Sequence, residues 1–203
     1  MSRAKVSRKS TAIDMTAMCD VAFLLLTFFI LTSKFKVEDP VPVDTPGSSI
    51  QQPIPDDNLA VITVGSNKAF FSVDGSDVRI AALQEMGKLY NIQFTPDEER
   101  KFAATAIFGV PISQLKQFLN MDAEQKKSVQ QSGIPRDSVS NELFNWIRES
   151  RKAAAALHQK QLRISIKGDS KEEYPVIKDI IAILQKQEVN KFSLITSLRG
   201  ASK

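Results

Sequence analysis

Residues Val21 to Leu31 read VAFLLLTFFIL, a run with one threonine and no charge. Taken back to Ile13 and forward to Thr32, it reaches about 20 residues, which as a helix rising 1.5 Å per residue spans the hydrocarbon core of a bilayer. Three readings compete for this segment. A secretory signal needs a basic start, an apolar centre and a small-x-small cleavage site. Arg3, Lys5, Arg8 and Lys9 supply the start, but Thr32-Ser33-Lys34-Phe35 offers no such cleavage site. A buried core helix would be unusual in carrying phenylalanine and leucine on every side. A transmembrane helix over residues 13–33 is therefore the expectation.

Orientation follows from flanking charge. Four basic residues precede the helix with no acid before Asp14, whereas Lys34 and Lys36 are followed at once by Glu38 and Asp39. Counted in lysine and arginine, this favours a cytoplasmic N-terminus. Residues 1–12 are then a cytoplasmic basic tail. Everything from about Phe35 onward lies across the membrane, in the periplasm where the cell has two membranes.

Asp20 breaks the pattern. It falls about two turns into the span, and the apolar run has no lysine or arginine to neutralise it. A carboxylate at such a depth costs about 2.5–3.5 kcal/mol on insertion scales. Protonation relieves that cost, because desolvation disfavours the charged form. A residue so placed can exchange a proton when its surroundings alternate between wet and dry. The alternative puts Asp20 at the interface, snorkelling to the headgroups, for which its side chain is short. Asp20, Phe23, Leu24, Thr27 and Leu31 share a helical stripe, so Thr27 is placed to support Asp20. Equally, threonine often bonds only its own helix backbone. One helix cannot shield Asp20 on all sides, so a multi-helix membrane partner is implied.

The rest of the 203-residue chain is of ordinary globular composition, with 42% hydrophobic and 25% charged residues. Five prolines, Pro40, Pro42, Pro46, Pro53 and Pro55, make residues 34–58 a Pro-rich linker. Its Val41-Pro42-Val43 piece can pair with a sheet edge, where proline is tolerated, or serve as plain tether. Leu59–Gly65 and Lys68–Val73 read as a hairpin about Ser66-Asn67. Asp77 is placed to cap a helix over Val78–Tyr90. Thr95-Pro96-Asp97-Glu98 spells a capping box with proline at the first helical position. Short helices are expected near Ser113–Leu119 and Ala123–Gln131, the second closed by Gly133, and a longer one over Ser140–Leu157 with Leu143, Phe144, Ile147 and Ala154 inward. Trp146 reads as core or interface packing. Leu162, Ile164 and Ile166 alternate with polar residues in a strand, a helix follows from Pro175, and residues 192–197 alternate again. A strand-helix-strand order of this length favours parallel pairing through a right-handed crossover. The expected fold class is α+β: one N-terminal transmembrane helix, and a domain over 59–203 with a small mixed β-sheet packed by helices.

The string IDMTAMCDVAFLLLTFFILTS, residues 13–33, resembles the N-terminal signature of the ExbD/TolR family of biopolymer transport proteins. The resemblance implies that Asp20 is the essential, proton-carrying aspartate and that Thr16 is the motif's threonine. Where the family often has proline next, this chain has Ala17. A second, weaker likeness covers Gln161 to Leu198, with Asp169, Tyr174 and Thr196 at the family's acidic turn, helix start and closing strand. It leaves 78–139 as a helical insertion relative to shorter members. Asp169 by itself reads as a turn residue.

The same resemblance implies partners and place: an inner-membrane, single-pass subunit, dimeric, working with an ExbB/TolQ-like ring of helices and a TonB-like periplasm-spanning protein to energise outer-membrane transport. A TolR-like role in envelope integrity is the alternative within the family. Outside it stand a membrane-tethered binding domain without proton flux, and a secreted protein that loses its first 32 residues. The residues carry no phosphate loop, metal-ligand pair or nucleophile beside a base, so no enzyme, cofactor or metal is expected. The mild net charge of +4, without basic residues interleaved with aromatics, argues against nucleic acid. Cys19 and His158, each single in the chain, read as helix packing and as a solvated helix end.

Overall fold

The computed structural model describes residues 15–33, 40, 43–48, 58–137, 140–169 and 174–198. The chain divides into two compact units, Met1–Val37 and Glu38–Lys203.

In the first unit the apolar run forms one helix, α1 (Met15–Thr32). By length and composition it is able to cross a membrane. None of its side chains is buried within the chain.

The second unit begins with β1 (Gly47–Ser48), followed by β2 (Leu59–Gly65) and β3 (Lys68–Val73). Ser66 and Asn67 both take positive φ, 53° and 60°, the paired left-handed turn whose twist suits a two-residue hairpin. Helices α2 (Ser76–Tyr90), α3 (Pro96–Ala104), α4 (Ile112–Asn120), α5 (Ala123–Ser128) and α6 (Glu142–His158) come next. The chain then runs through β4 (Arg163–Gly168), α7 (Tyr174–Gln185), β5 (Phe192–Ile195) and β6 (Ser197–Leu198).

The main sheet has the order β3-β2-β4-β5. β2 is antiparallel to β3 and parallel to β4, and β4 is parallel to β5. The crossover expected from strand-helix-strand order is therefore present, and the sheet is mixed. Register puts Ala60, Ile62 and Val64 beside Val73, Phe71 and Ala69 on one side and beside Ile164 and Ile166 on the other. These residues share a face and are all buried. They form one core with Leu83 and Met86 of α2, Leu143 and Ile147 of α6, and Ile180 and Leu184 of α7.

The described part of the expected insertion, residues 78–137, belongs to that same core. Phe102 and Phe108 pack on Trp146 with ring centroids 5.6 and 4.8 Å away. Phe108 also makes an antiparallel bridge to Phe71, with Phe71 N donating to Phe108 O at 2.8 Å and Phe108 N to Phe71 O at 3.1 Å. Ile134 N donates to Ala69 O at 2.8 Å. The helical segment thus pairs the outer edge of β3, which would otherwise present open backbone groups.

Several expectations need correction. Asp77 does not cap α2: the cap is Gly75 at φ 88°, without a side-chain bond, and Asp77 sits inside the first turn. The helix after Asp122 stops at Ser128, short of Gln131. Gly133, at φ 90°, does not close it but donates its N–H to Gly109 O at 2.7 Å beside Lys68. The long helix starts at Glu142, not Ser140, with Asn141 as its cap accepting from Phe144 N. The linker pairs with a strand at Gly47–Ser48, against Ser197–Leu198 in parallel. Val41 and Pro42 lie outside the described residues, as do 170–173 of the acidic turn. The closing strand changes partner at Thr196, from β4 to β1, and Leu194 is 62% exposed. The Thr95–Glu98 box is present in full, with bonds of 3.3 and 2.8 Å.

Two substitutions test this packing. A Cβ at Gly109 would stand 2.1 Å from Phe70 Cδ1, so Gly109→Ala must displace a fully buried ring. We expect a loss of about 1–3 kcal/mol in denaturant unfolding, as overpacking costs. Glu142 is buried, its Oε2 accepting from Ile112 N at 2.8 Å. Burial pushes its carboxyl up, only partly opposed by the Ile112 and Ser140 bonds. The folded state therefore holds a proton that the unfolded chain releases, and stability falls as pH rises through the window above the ordinary glutamate range. Glu142→Gln keeps an acceptor for Ile112 and removes the proton. Melting curves of the variant are expected to lose this fall and to gain on the parent as pH rises.

Candidate functional site

A helix made almost wholly of leucine, phenylalanine and small residues satisfies its backbone internally, which is what lets it persist in lipid. Within α1, Asp20 is the sixth residue and the only charged one. At 1.5 Å per residue its Cα stands about 7–8 Å along the axis from Met15. The residues around it are Cys19, a free and exposed thiol, and Val21, Phe23 and Leu24, all exposed.

Thr16, Asp20 and Thr27 fall on one face: at 3.6 residues per turn they lie within about 40° of each other around the axis. The helix therefore brings the three predicted residues to a common stripe, with Leu24 and Leu31 along it. Thr27 sits two turns from Asp20. Its Oγ1 stands 3.0 Å from Phe23 O and 2.9 Å from Leu24 O, so the hydroxyl donates to the helix's own carbonyls. Thr32 does the same towards Phe28 O at 2.8 Å. This leaves Thr27's oxygen lone pairs as what it can present to a neighbour. Asp20 carries its carboxyl on a helix none of whose residues is buried within the chain.

In the second unit, Asp169 follows β4 and donates its N–H to Val64 O at 3.1 Å. Tyr174 opens α7, and Thr196 lies between β5 and β6. Trp146 is buried, packed by Phe102 and Phe108, and is a core residue. His158 differs from expectation. Instead of a solvated helix end, its ring is held at both nitrogens: Nε2 stands 2.7 Å from Asp77 Oδ2 and Nδ1 3.0 Å from Asn58 Oδ1. The hydrogen bond from His158, foremost among its causes, holds the Asp77 carboxyl below the usual carboxylate range. No sequence signal marks this group, because its members come from the root of β2, the start of α2 and the end of α6. Only the antiparallel packing of α2 on α6, also seen where Asn145 Nδ2 donates to Tyr90 Oη at 3.0 Å, brings them together.

No curated protein and no solved structure matches the chain. The family description "Biopolymer transport protein ExbD/TolR" matches residues 7–199. That match takes in α1 with Asp20, the sheet, and the helical segment 78–139. Covering nearly the whole sequence, it shows that the chain belongs to the ExbD/TolR family of biopolymer transport proteins.

Proposed function

We propose that this chain is the proton-carrying subunit of an inner-membrane energy-transduction complex, ExbD-like in role, that uses the proton motive force to energise TonB-dependent transport across the outer membrane. The observation that carries the reading is Asp20, the one charged side chain in a helix able to span a membrane, none of whose residues is buried within the chain. Membership of the family supports the same role for the carboxyl.

On this reading α1 stands in the lumen of an ExbB/TolQ-like ring with a second copy beside it. The carboxyl is neutral where apolar groups surround it, because a bare carboxylate there is costly. It ionises where the ring presents water or a donor. Alternation between the two states changes the force between helix and ring once per proton. Thr16, one turn from Asp20, orients the carboxyl, and Thr27, two turns on, lines its path. The N-terminal tail is cytoplasmic, and the unit from Glu38 onward lies in the periplasm and passes the motion to a TonB-like protein. The edge of β5, which among the described residues pairs only with β4, and the exposed Leu194 offer a place for the second copy.

Asp20→Asn keeps shape and hydrogen bonding but cannot ionise. Expected is a complex that still co-purifies with its multi-helix partner from detergent-solubilised membranes, while transport energisation drops to the level of cells lacking the protein. Normal transport with Asn at position 20 would defeat the proton-carrying role. Mass spectrometry of the mature protein is expected to find the N-terminal residues in place, and their loss would end the membrane-subunit reading. Co-purification of a TonB-like protein supports the ExbD-like role, and of a TolA-like protein the TolR-like one.

A further inference from the structure

Where the chain enters β2, β4 and β5, the second unit has an open cavity of about 1140 Å³. Among the described residues that line it, Lys160, Arg163 and Lys191 are cations and none is an acid. All three are exposed. Among the described residues, none of their charged groups meets an acid or another partner. Cations elsewhere in the unit do pair, as Lys88 with Glu85, Lys101 with Asp97 and Lys152 with Glu149. Register sharpens the contrast. β4 and β5 are parallel with Ile164 beside Phe192, so one step back Arg163 falls beside Lys191. Like charges side by side on neighbouring strands are destabilising, and an anion set between them turns that repulsion into attraction.

The cavity also has an apolar wall, since Leu162 and Ile164 are buried and Phe192 is half-buried. Asn58 lines it as well, only 8% exposed, with its side-chain nitrogen buried and without a partner. Hydrogen bonding here is thus incomplete with the protein's own groups alone. A concave site with an apolar wall and a few convergent polar groups is the form that small-molecule sites take. Three cations exceed the single charge of a carboxylate and suit a phosphate monoester, which carries close to two. We propose that this cavity binds an organic phosphate. Arg163 meets two phosphate oxygens with its planar fork, Lys160 and Lys191 add point charges, and Leu162 and Phe192 receive the carbon part. The phosphate is borne on a lipid headgroup or on a free phosphoester. The site is independent of Asp20 and of the proton-carrying role.

The full chain in an uncharged detergent is titrated with glycerol phosphate, and with glycerol as the neutral probe, while its amide resonances are followed. With glycerol phosphate, shifts are expected to saturate and to centre on residues 160–163 and 190–193, whereas glycerol leaves them unmoved. Arg163→Gln combined with Lys191→Gln is expected to weaken binding by about tenfold or more, as loss of two charge-assisted contacts implies. Lys178→Gln combined with Lys186→Gln removes as much charge from exposed positions on and after α7, and is expected to keep the parent's affinity. Because Arg163 heads a core strand, Lys160→Gln in the turn before it serves as a milder variant, with binding weakened by about threefold and melting unchanged. Tighter binding of dihexanoyl phosphatidic acid than of glycerol phosphate identifies a lipid headgroup as the source, and equal or weaker binding a free phosphoester. Shifts that rise without saturating, equal weakening in the Lys178 and Lys186 variant, or tighter binding of tetraglutamate, the mark of an acidic-peptide site, would each overturn the proposal.

Discussion

Backbone pairing on both sides of β2 holds the second unit together. Antiparallel bonds tie it to β3 and parallel bonds to β4, and Ala60, Ile62 and Val64 are wholly buried between them. A central strand of this kind opens only with the whole sheet, because each of its amides and carbonyls would otherwise lose its partner in a dry interior. Along the chain β2 follows the short pairing of Gly47–Ser48 with Ser197–Leu198, so the chain comes from that two-stranded sheet to the most buried strand of the main one.

The two edges of the sheet are treated differently. β3 is paired along its outside by Phe108 and Ile134, and Arg136 adds bonds to the hairpin tip, donating to Asn67 O at 2.9 Å. β5 has no such cover among the described residues, and Leu194 stands out from it. Natural sheets that must not associate blunt both edges. Here the helical segment 78–137 blunts one and fills the core with Phe102, Phe108, Leu115 and Leu119. It is thus as much a structural part of the unit as the sheet, consistent with a family match that runs straight through it.

Features set by local pattern were legible in the sequence. The apolar helix, the Ser66-Asn67 hairpin, the Thr95 capping box and the β4-α7-β5 crossover each rest on residues within a few turns of one another, where periodicity and capping chemistry act directly. Features set by distant contacts were not. Nothing near Phe108 announces that it will bridge Phe71, and nothing at Gly109 shows that a buried ring will lie where its side chain would be. His158 looked like a free helix end because its partners are 100 and 81 residues away. Asp77 was misread for a related reason: an acid near a helix start suits a cap, and only the fold reveals that its oxygen is engaged with the imidazole. At Asp20 the sequence sufficed for the anomaly, because a charge in an apolar run is visible without structure, but not for the surroundings.

The stripe on α1 narrows what those surroundings must supply. Thr27 donates within its own helix and so can only accept from outside. Asp20, when neutral, has one proton to donate and, when ionised, only oxygens to offer. A donor is what Thr27 can take from a neighbour. On the proposed proton-carrying role, a group facing Asp20 accepts in one state and donates in the other, a demand that water or a hydroxyl meets.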